Sequence, residues 1–170
     1  MSIKYRLEAF RCEARSEFLS FVSPLLFSRE VQQLDDYVQH VHYTRLTHSL
    51  DVAYLSFCIA KILRCDTRSC ARGALLHDLH YRDDEEPNSL AHMRRHPETA
   101  LLNARALCAL NPVEEDIIRK HMWLISLSPP RYKESYIVTF VDKVCALREL
   151  IFGLSHRSQI RHRALNPVTA

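Results

Sequence analysis

The stretch Leu75-Leu76-His77-Asp78-Leu79 places a histidine and an aspartate side by side within a short apolar run. An imidazole and a carboxylate that are buried together cost free energy unless a further group satisfies both. A divalent metal ion does so, because neutral histidine and ionised aspartate are both common ligands. The pair alone occurs by chance in many proteins, but four similar residues accompany it in segments with helical patterns. They are His48 before the pair and His96, His121 and Asp142 after it.

The composition around this pair predicts an all-α chain. Only two of the 170 residues are glycine, whereas sheets joined by tight turns usually need more, because glycine supplies the φ > 0 positions of hairpins. With 47 % apolar and 25 % charged residues, the chain has an ordinary globular mix, and its length fits one domain. The net charge of +3 is too small to indicate a nucleic-acid polymer or a membrane surface as partner.

The six cysteines predict a reducing environment. They form no zinc-type C-x-x-C pair, and most lie in apolar helical segments as small buried side chains. The chain shows no signal-peptide pattern and no apolar run near the roughly 20 residues of a membrane span. We therefore expect a cytoplasmic protein that does not enter a membrane.

The first third of the chain predicts three helices. An amphipathic pattern covers Tyr5 to Phe21, and Pro24 is expected to break it. Ser28 can cap a second helix, with Val31, Leu34 and Val38 on one face. Thr47 can cap a third helix that reaches about Leu63. The apolar stripe expected on this third helix consists of Val52, Leu55, Ile59 and Ile62, with His48 one turn before it.

The remaining helices are marked by their capping residues. Asp66 can cap a helix that ends at the His77–Asp78 pair, and Asn111 with Pro112 can start the helix that carries His121. Between them, a short helix capped by Ser89 and a new helix beginning at Pro97 are expected.

The last helix is expected from about Glu134 to Leu154. Its stripe consists of Ile137, Val138, Val141, Val144 and Cys145, with Asp142 on the same face. The polar and basic residues 155–170 are expected to form a flexible tail, which leaves one domain over residues 1–154.

A histidine such as His48, taken alone, is most simply a core residue bonded to a carbonyl. Several inward-facing histidines and aspartates from different helices are what a divalent metal needs, and a bundle can bring them to one point. Six candidates suffice for two ions, with one carboxylate bridging them.

The order of these residues resembles the HD-domain superfamily of metal-dependent phosphohydrolases. The strings that carry the resemblance are RLTHSLDVA around His48, ALLHDL around the His-Asp pair and IVTFVDKV around Asp142. The resemblance covers about Thr44 to Leu150, and we refer to residues 44–150 as the core motif region. It implies an all-α, HD-domain-like helical bundle.

The resemblance also implies a ligand set. Positions like His48, His77, Asp78 and Asp142 bind the core metal in that superfamily. Positions like His96 and His121 bind a second ion in its binuclear branch, where the aspartate of the pair bridges. The ions would be divalent Fe, Mn, Ni, Co or Mg. The chain lacks the Gly-Tyr-Pro element of HD-GYP phosphodiesterases, so that assignment does not carry over.

The expected function is hydrolysis of a nucleotide or another small phosphoester by a metal-activated water. Arg45, one turn before His48, could contact a phosphate oxygen or be a surface cation. His80 could relay a proton or be a solvated loop residue. Lys143 could pair an acid or contact substrate. Two alternatives on the same scaffold are a di-iron oxygenase and a non-catalytic binder of a phosphorylated ligand. Residue types alone leave the oligomeric state open.

Overall fold

The computed structural model describes residues 3–40, 43–81, 90–126 and 128–165, with side chains for 13–38, 43–81, 94–126 and 128–151. The chain folds into helices, with one short two-stranded ribbon among the described residues, so the all-α prediction is confirmed. The elements in chain order are α1 (Ile3–Leu26), α2 (Arg29–Gln32), a 3-10 turn (Gln33–Asp36), β1 (Val38–His40), β2 (Tyr43–Thr44), α3 (Arg45–Leu63), α4 (Thr67–Leu76), α5 (Leu90–Leu107), α6 (Pro112–Lys120), α7 (Trp123–Ser126) and α8 (Lys133–Leu165).

The core is a bundle centred on α3. Helix α3 packs between α4 and α8, and α6 packs against α4, α5 and α8. Leu75 and Leu76 of α4, Ile117 and Ile118 of α6, and Val138 of α8 are fully buried between these helices. Helix α3 is also the one described helix that is long and apolar enough to cross a membrane. The central helix of a folded bundle has the same composition, and α3 holds this position.

Capping residues set where four of these helices begin, and Ser28 caps α2 as predicted. Asp66 accepts a hydrogen bond from the Ser69 amide at 3.0 Å, and Asn111 accepts two from the first turn of α6. Both caps were predicted. Helix α3, however, is capped by Thr44 and not by Thr47. The two threonines form a reciprocal capping box, in which the Thr47 hydroxyl accepts a hydrogen bond from the Thr44 amide at 3.1 Å.

Two predicted proline breaks are wrong. Pro24 lies inside α1, and Pro97 lies inside α5, which is one helix instead of two. A proline removes one backbone hydrogen bond, but burial of Ala100, Leu101 and Ala104 holds the chain helical beyond Pro97. Ser89, the cap expected for the shorter helix, lies outside the described residues.

Other sequence expectations also differ from the structure. Val38 lies in β1 and not on the second helix, because the 3-10 turn ends α2 early. On α3, Leu55 and Ile62 are 38 % and 77 % exposed, because the helix buries small residues instead. These small residues are Ser49, Ala53, Ser56 and Ala60. Helix α8 continues to Leu165, beyond the expected end at Leu154, and Val144 is exposed. The single domain over 1–154 and the flexible tail remain predictions.

Candidate metal centre

His48 lies at the start of α3 and is held between two carboxylates of α8. Its Nε2 lies 3.1 Å from Asp142 Oδ1, and its Nδ1 lies 2.9 Å from Glu149 Oε1. The ring and Glu149 are fully buried, and Asp142 is nearly so. The capping box fixes the backbone of the first turn of α3, which carries the buried His48 ring.

His77 and His121 are presented by the same local device. Each is the residue that ends its helix, α4 or α6, and each places Nδ1 near the carbonyl three residues earlier. The distances are 2.7 Å from His77 to Ala74 O and 2.8 Å from His121 to Ile118 O. A carbonyl can only accept, so Nδ1 of each ring carries the proton and donates it. When either ring is neutral, its lone pair is therefore on the buried Nε2, the atom available to a metal ion.

His96 of α5 completes the set of imidazoles. Its Nε2 lies 2.8 Å from His121 Nε2. Because the Nε2 atom of His121 bears a lone pair, this approach needs a proton or a cation near the two nitrogens. Nitrogen ligands of one metal ion lie about 3 Å apart, given metal–nitrogen bonds of about 2.1 Å. The pair therefore fits a metal site.

Asp78 joins two groups of ligands. Its Oδ2 lies 3.5 Å from His77 Nε2, while its Oδ1 lies 3.4 Å from His96 Nε2 and 3.5 Å from His121 Nε2. Among the side chains that the structure describes, two sets of ligand atoms lie close enough together to hold an ion, and all of them are buried. One set is His48, His77 and Asp78, and the other is Asp78, His96 and His121. Asp142 Oδ1, 3.8 Å from His77 Nε2, borders the first set.

The structure thus brings together all six residues singled out in the sequence. Residues 45–147, more than half of the chain, match the HD domain family.

The chain belongs to the HD domain family.

The HD domain is an all-α fold of the metal-dependent phosphohydrolase superfamily. The matched segment lies within the expected core motif region of 44–150 and contains all six His and Asp residues. No curated protein and no solved structure matches the chain. The family and the cluster together indicate divalent metal binding.

The electrostatics of the HD site favour ionised carboxylates. Burial acts to raise the pKa of Asp78, but the neighbouring His77 and His96 hold that pKa well below its usual range. Burial likewise opposes ionisation of Asp142, and the His48 hydrogen bond and Lys143 lower the pKa of this carboxyl. Both aspartates are therefore in the form that binds a cation.

The histidines differ in charge. Burial and the neighbouring His96 and His77 lower the pKa of His121 well below its usual value, so its ring is neutral. Burial would also lower the pKa of His48, but the Asp142 and Glu149 carboxylates raise it to about 10. In the metal-free protein, His48 thus supplies the positive charge that these two carboxylates require.

Arg45 and His80 both lie beside the HD site. Arg45 is buried, not a surface cation, and its Nη1 donates to His80 O at 2.6 Å. Its guanidinium lies over the Tyr37 ring at 5.1 Å. His80 is buried as well, so the solvated-loop alternative is wrong. Its ring stacks 5.1 Å from that of His96, and its Nδ1 lies 3.2 Å from Asp78 O.

Two residues of α8 extend the site beyond the six candidates. The Lys143 ammonium lies 2.6 Å from Asp142 Oδ2 and 3.1 Å from His121 O, which confirms the acid pairing among its alternatives. Glu149, which bonds His48, was missed by the sequence reasoning. The signal was available, because Glu149 lies seven residues after Asp142 and so on the same face of α8, beside buried Cys145.

Proposed function

We propose that this HD domain is a metal-dependent phosphohydrolase that cleaves a nucleotide or another small phosphoester at a binuclear centre. The observation that supports it most strongly is the position of Asp78. Its two carboxylate oxygens face different groups of histidines, at 3.4–3.5 Å. A carboxylate between two ligand groups is suited to bridge two ions.

In this proposal, His48, His77 and Asp142 bind one ion, His96 and His121 bind the other, and Asp78 serves both. His77 supports the assignment, because its buried Nε2 has no hydrogen-bond partner among the described residues. A ligand set of imidazoles and carboxylates suits Fe, Mn, Co or Ni better than Mg, which prefers oxygen ligands.

The chain's own side chains bind the substrate and handle protons. Bound ions would supply an activated water and neutralise charge on the phosphoryl group. Arg45 offers a planar guanidinium suited to phosphate oxygens. Lys143 keeps Asp142 in place through Oδ2 and leaves Oδ1 facing His48. His80, stacked on His96, is the candidate for proton transfer to the leaving group.

We place the protein in the cytoplasm. Cys58, Cys65, Cys70, Cys108 and Cys145 are all free thiols, which supports a reducing compartment.

The test is hydrolysis by protein loaded in turn with Mn²⁺, Fe²⁺, Co²⁺ and Ni²⁺, with phosphate release from nucleotides and small phosphomonoesters and product analysis for phosphodiesters. We expect turnover by the wild type that is lost in Asp78→Asn. Inactivity of the metal-loaded protein across this panel, together with O₂ consumption by its iron form, would contradict the proposal and indicate an oxygenase. Tight nucleotide binding without turnover would indicate a binder.

A further inference from the structure

Helix α8 is apolar on two opposite faces between Tyr136 and Ile151. Its inner face buries Val138, Val141 and Cys145 in the core. Its outer face carries six large apolar side chains that are 41–66 % exposed. They are Tyr136, Phe140, Val144, Leu147, Leu150 and Ile151. A helix that is apolar all round is normally buried on all sides.

The outer residues follow the spacing of a helix–helix seam. Tyr136, Phe140, Lys143, Leu147 and Leu150 are separated by steps of four, three, four and three, the a/d repeat of a coiled coil. Lys143 interrupts the apolar series only in part. Its ammonium turns inward to Asp142 and the His121 carbonyl, so its alkyl stem remains at the surface.

The charged residues within this segment are satisfied inside the chain. Asp142 pairs with Lys143 and His48, Glu149 pairs with His48, and Arg148 bonds Asp51 of α3. The outer face of α8 is therefore adapted to an apolar partner and not to a charged one.

The apolar face continues onto α3. The Asp51–Arg148 pair and the bond from the Asp66 amide to Glu134 show that α3 and α8 run antiparallel. Leu55 lies one turn after Asp51 on α3, and Val144 lies one turn before Arg148 on α8. Because the two helices run antiparallel, both residues lie next to the Asp51–Arg148 ion pair in the same direction along the helices. Leu55 is 38 % exposed, and Ile62, two turns further along, is 77 % exposed.

The area of this face matches an interface. Aromatic side chains can bury roughly 150–250 Å² each and aliphatic ones somewhat less, so the six half-exposed residues of α8 offer on the order of 500 Å². With Leu55, Ile62 and the Lys143 stem, the face approaches the roughly 800 Å² per partner of a specific interface. Residues 152–165 continue the same helix and therefore lead away from this face instead of folding over it.

We propose that a second copy of this chain covers the outer face of α8, in a two-fold dimer whose central contact is α8 against α8. The a/d series is self-complementary, as a two-fold interface requires, because the same patch must meet itself. Phe140 and Leu147, the most exposed residues of the series, lie on either side of Lys143 at its middle. This proposal does not rest on the proposed reaction.

The test is sedimentation equilibrium of the full chain at micromolar concentration, compared among four proteins. They are the wild type, Phe140→Asp, Leu147→Asp and the matched control Leu102→Asp. Leu102 is 65 % exposed on α5, against 66 % for Phe140, so the control introduces the same charge at an equally exposed apolar site elsewhere. Far-UV circular dichroism establishes that each variant is folded.

We expect the wild type and Leu102→Asp to have twice the 19.9 kDa mass of the chain, and the two α8 variants to be monomers. A wild type that is monomeric at these concentrations would overturn the proposal. Dimers of both folded α8 variants, or dissociation of the Leu102 control, would overturn it as well. If one α8 variant fails to fold, the other and the concentration dependence of the wild type decide the question.

Discussion

At the scale of the residue, Asp78 has the most demanding position in the structure. Three imidazoles lie within 3.5 Å of its carboxylate oxygens, those of His77, His96 and His121. Because both groups of ligands include it, its charge is expected to be required at both ion positions. Asp78→Asn keeps the volume and removes the charge.

We expect Asp78→Asn to lose both ions and hydrolytic activity. The measurement is metal content by mass spectrometry after gel filtration, with phosphate release in parallel. Asp51→Asn is the control. Asp51 is half exposed, and the partner described for its carboxylate is Arg148. Wild-type metal content in a folded Asp78→Asn protein would argue against the shared carboxylate.

Glu149 allows a more selective test. A carboxylate on the remote nitrogen of a ligand histidine fixes its ring and tautomer, and loss of such a partner typically costs about 10–100-fold in metal affinity. We expect Glu149→Gln to weaken the ion at His48 by that factor and to leave the ion at His96 and His121 in place. Isothermal titration calorimetry with the metal ion should resolve the binding of the two ions as separate steps. Glu98→Gln, an exposed change on α5, should leave both binding steps unchanged. A titration of Glu149→Gln identical to that of the wild type would refute the role of Glu149 in fixing the His48 ring.

At the scale of the element, the contact between α4 and α6 sets the distance between His77 and His121. Gly73 of α4 lies against Ile117 of α6, and a Cβ added at Gly73 would lie 2.9 Å from Ile117 Cδ1 and 3.0 Å from Cγ2. Alanine is favoured over glycine in a helix by about 1 kcal/mol, but overpacking costs about 1–3 kcal/mol. We therefore expect Gly73→Ala to destabilise the fold.

The size of this effect should depend on Ile117. An Ile117→Ala background removes Cδ1 and Cγ2 and leaves only the Ile117 Cβ, 3.1 Å from the added Cβ, so the same Gly73→Ala change should cost less free energy of unfolding there than in the wild type. Urea unfolding of the wild type, Gly73→Ala, Ile117→Ala and the double variant gives the coupling free energy between the two positions. Additive effects would show that the two helices do not meet as described.

The elements also show what local sequence can specify. Asp66 and Asn111 were predicted as caps because a short acceptor side chain acts within its own turn. Pro24 and Pro97 misled the prediction because their effect on a helix depends on packing by distant parts of the chain. The prediction that Leu55 and Ile62 of α3 are buried failed for the same reason. Which face of a central helix is buried depends on α4 and α8, and small residues such as Ala53 allow the closest approach.

At the scale of the whole molecule, the meeting of six side chains was expected from their order along the chain and from a family resemblance. Their burial and spacing depend on five helices, so local patterns alone do not specify them. The same holds for Glu149 and Lys143, whose roles depend on which face of α8 meets α3 and α6.

Metal binding should stabilise the entire bundle, because the ligands come from α3, from α5 and α8, and from the ends of α4 and α6. Free ion at 100 times its dissociation constant stabilises by about 2.7 kcal/mol, which at about 2–4 °C per kcal/mol raises Tm by about 5–10 °C. We expect this rise when Mn²⁺ is added to chelator-treated wild type and not when it is added to Asp78→Asn. An equal rise in both proteins would place the stabilising ion elsewhere.

The number of ions bound to the native protein tests the central claim most directly. The measurement is elemental analysis of wild-type protein purified without chelators, normalised to protein concentration from amino-acid analysis. A shared Asp78 between two groups of histidines predicts about two equivalents of a transition metal per chain. One equivalent or none, after reconstitution with each of Fe²⁺, Mn²⁺, Co²⁺ and Ni²⁺, would contradict the binuclear centre.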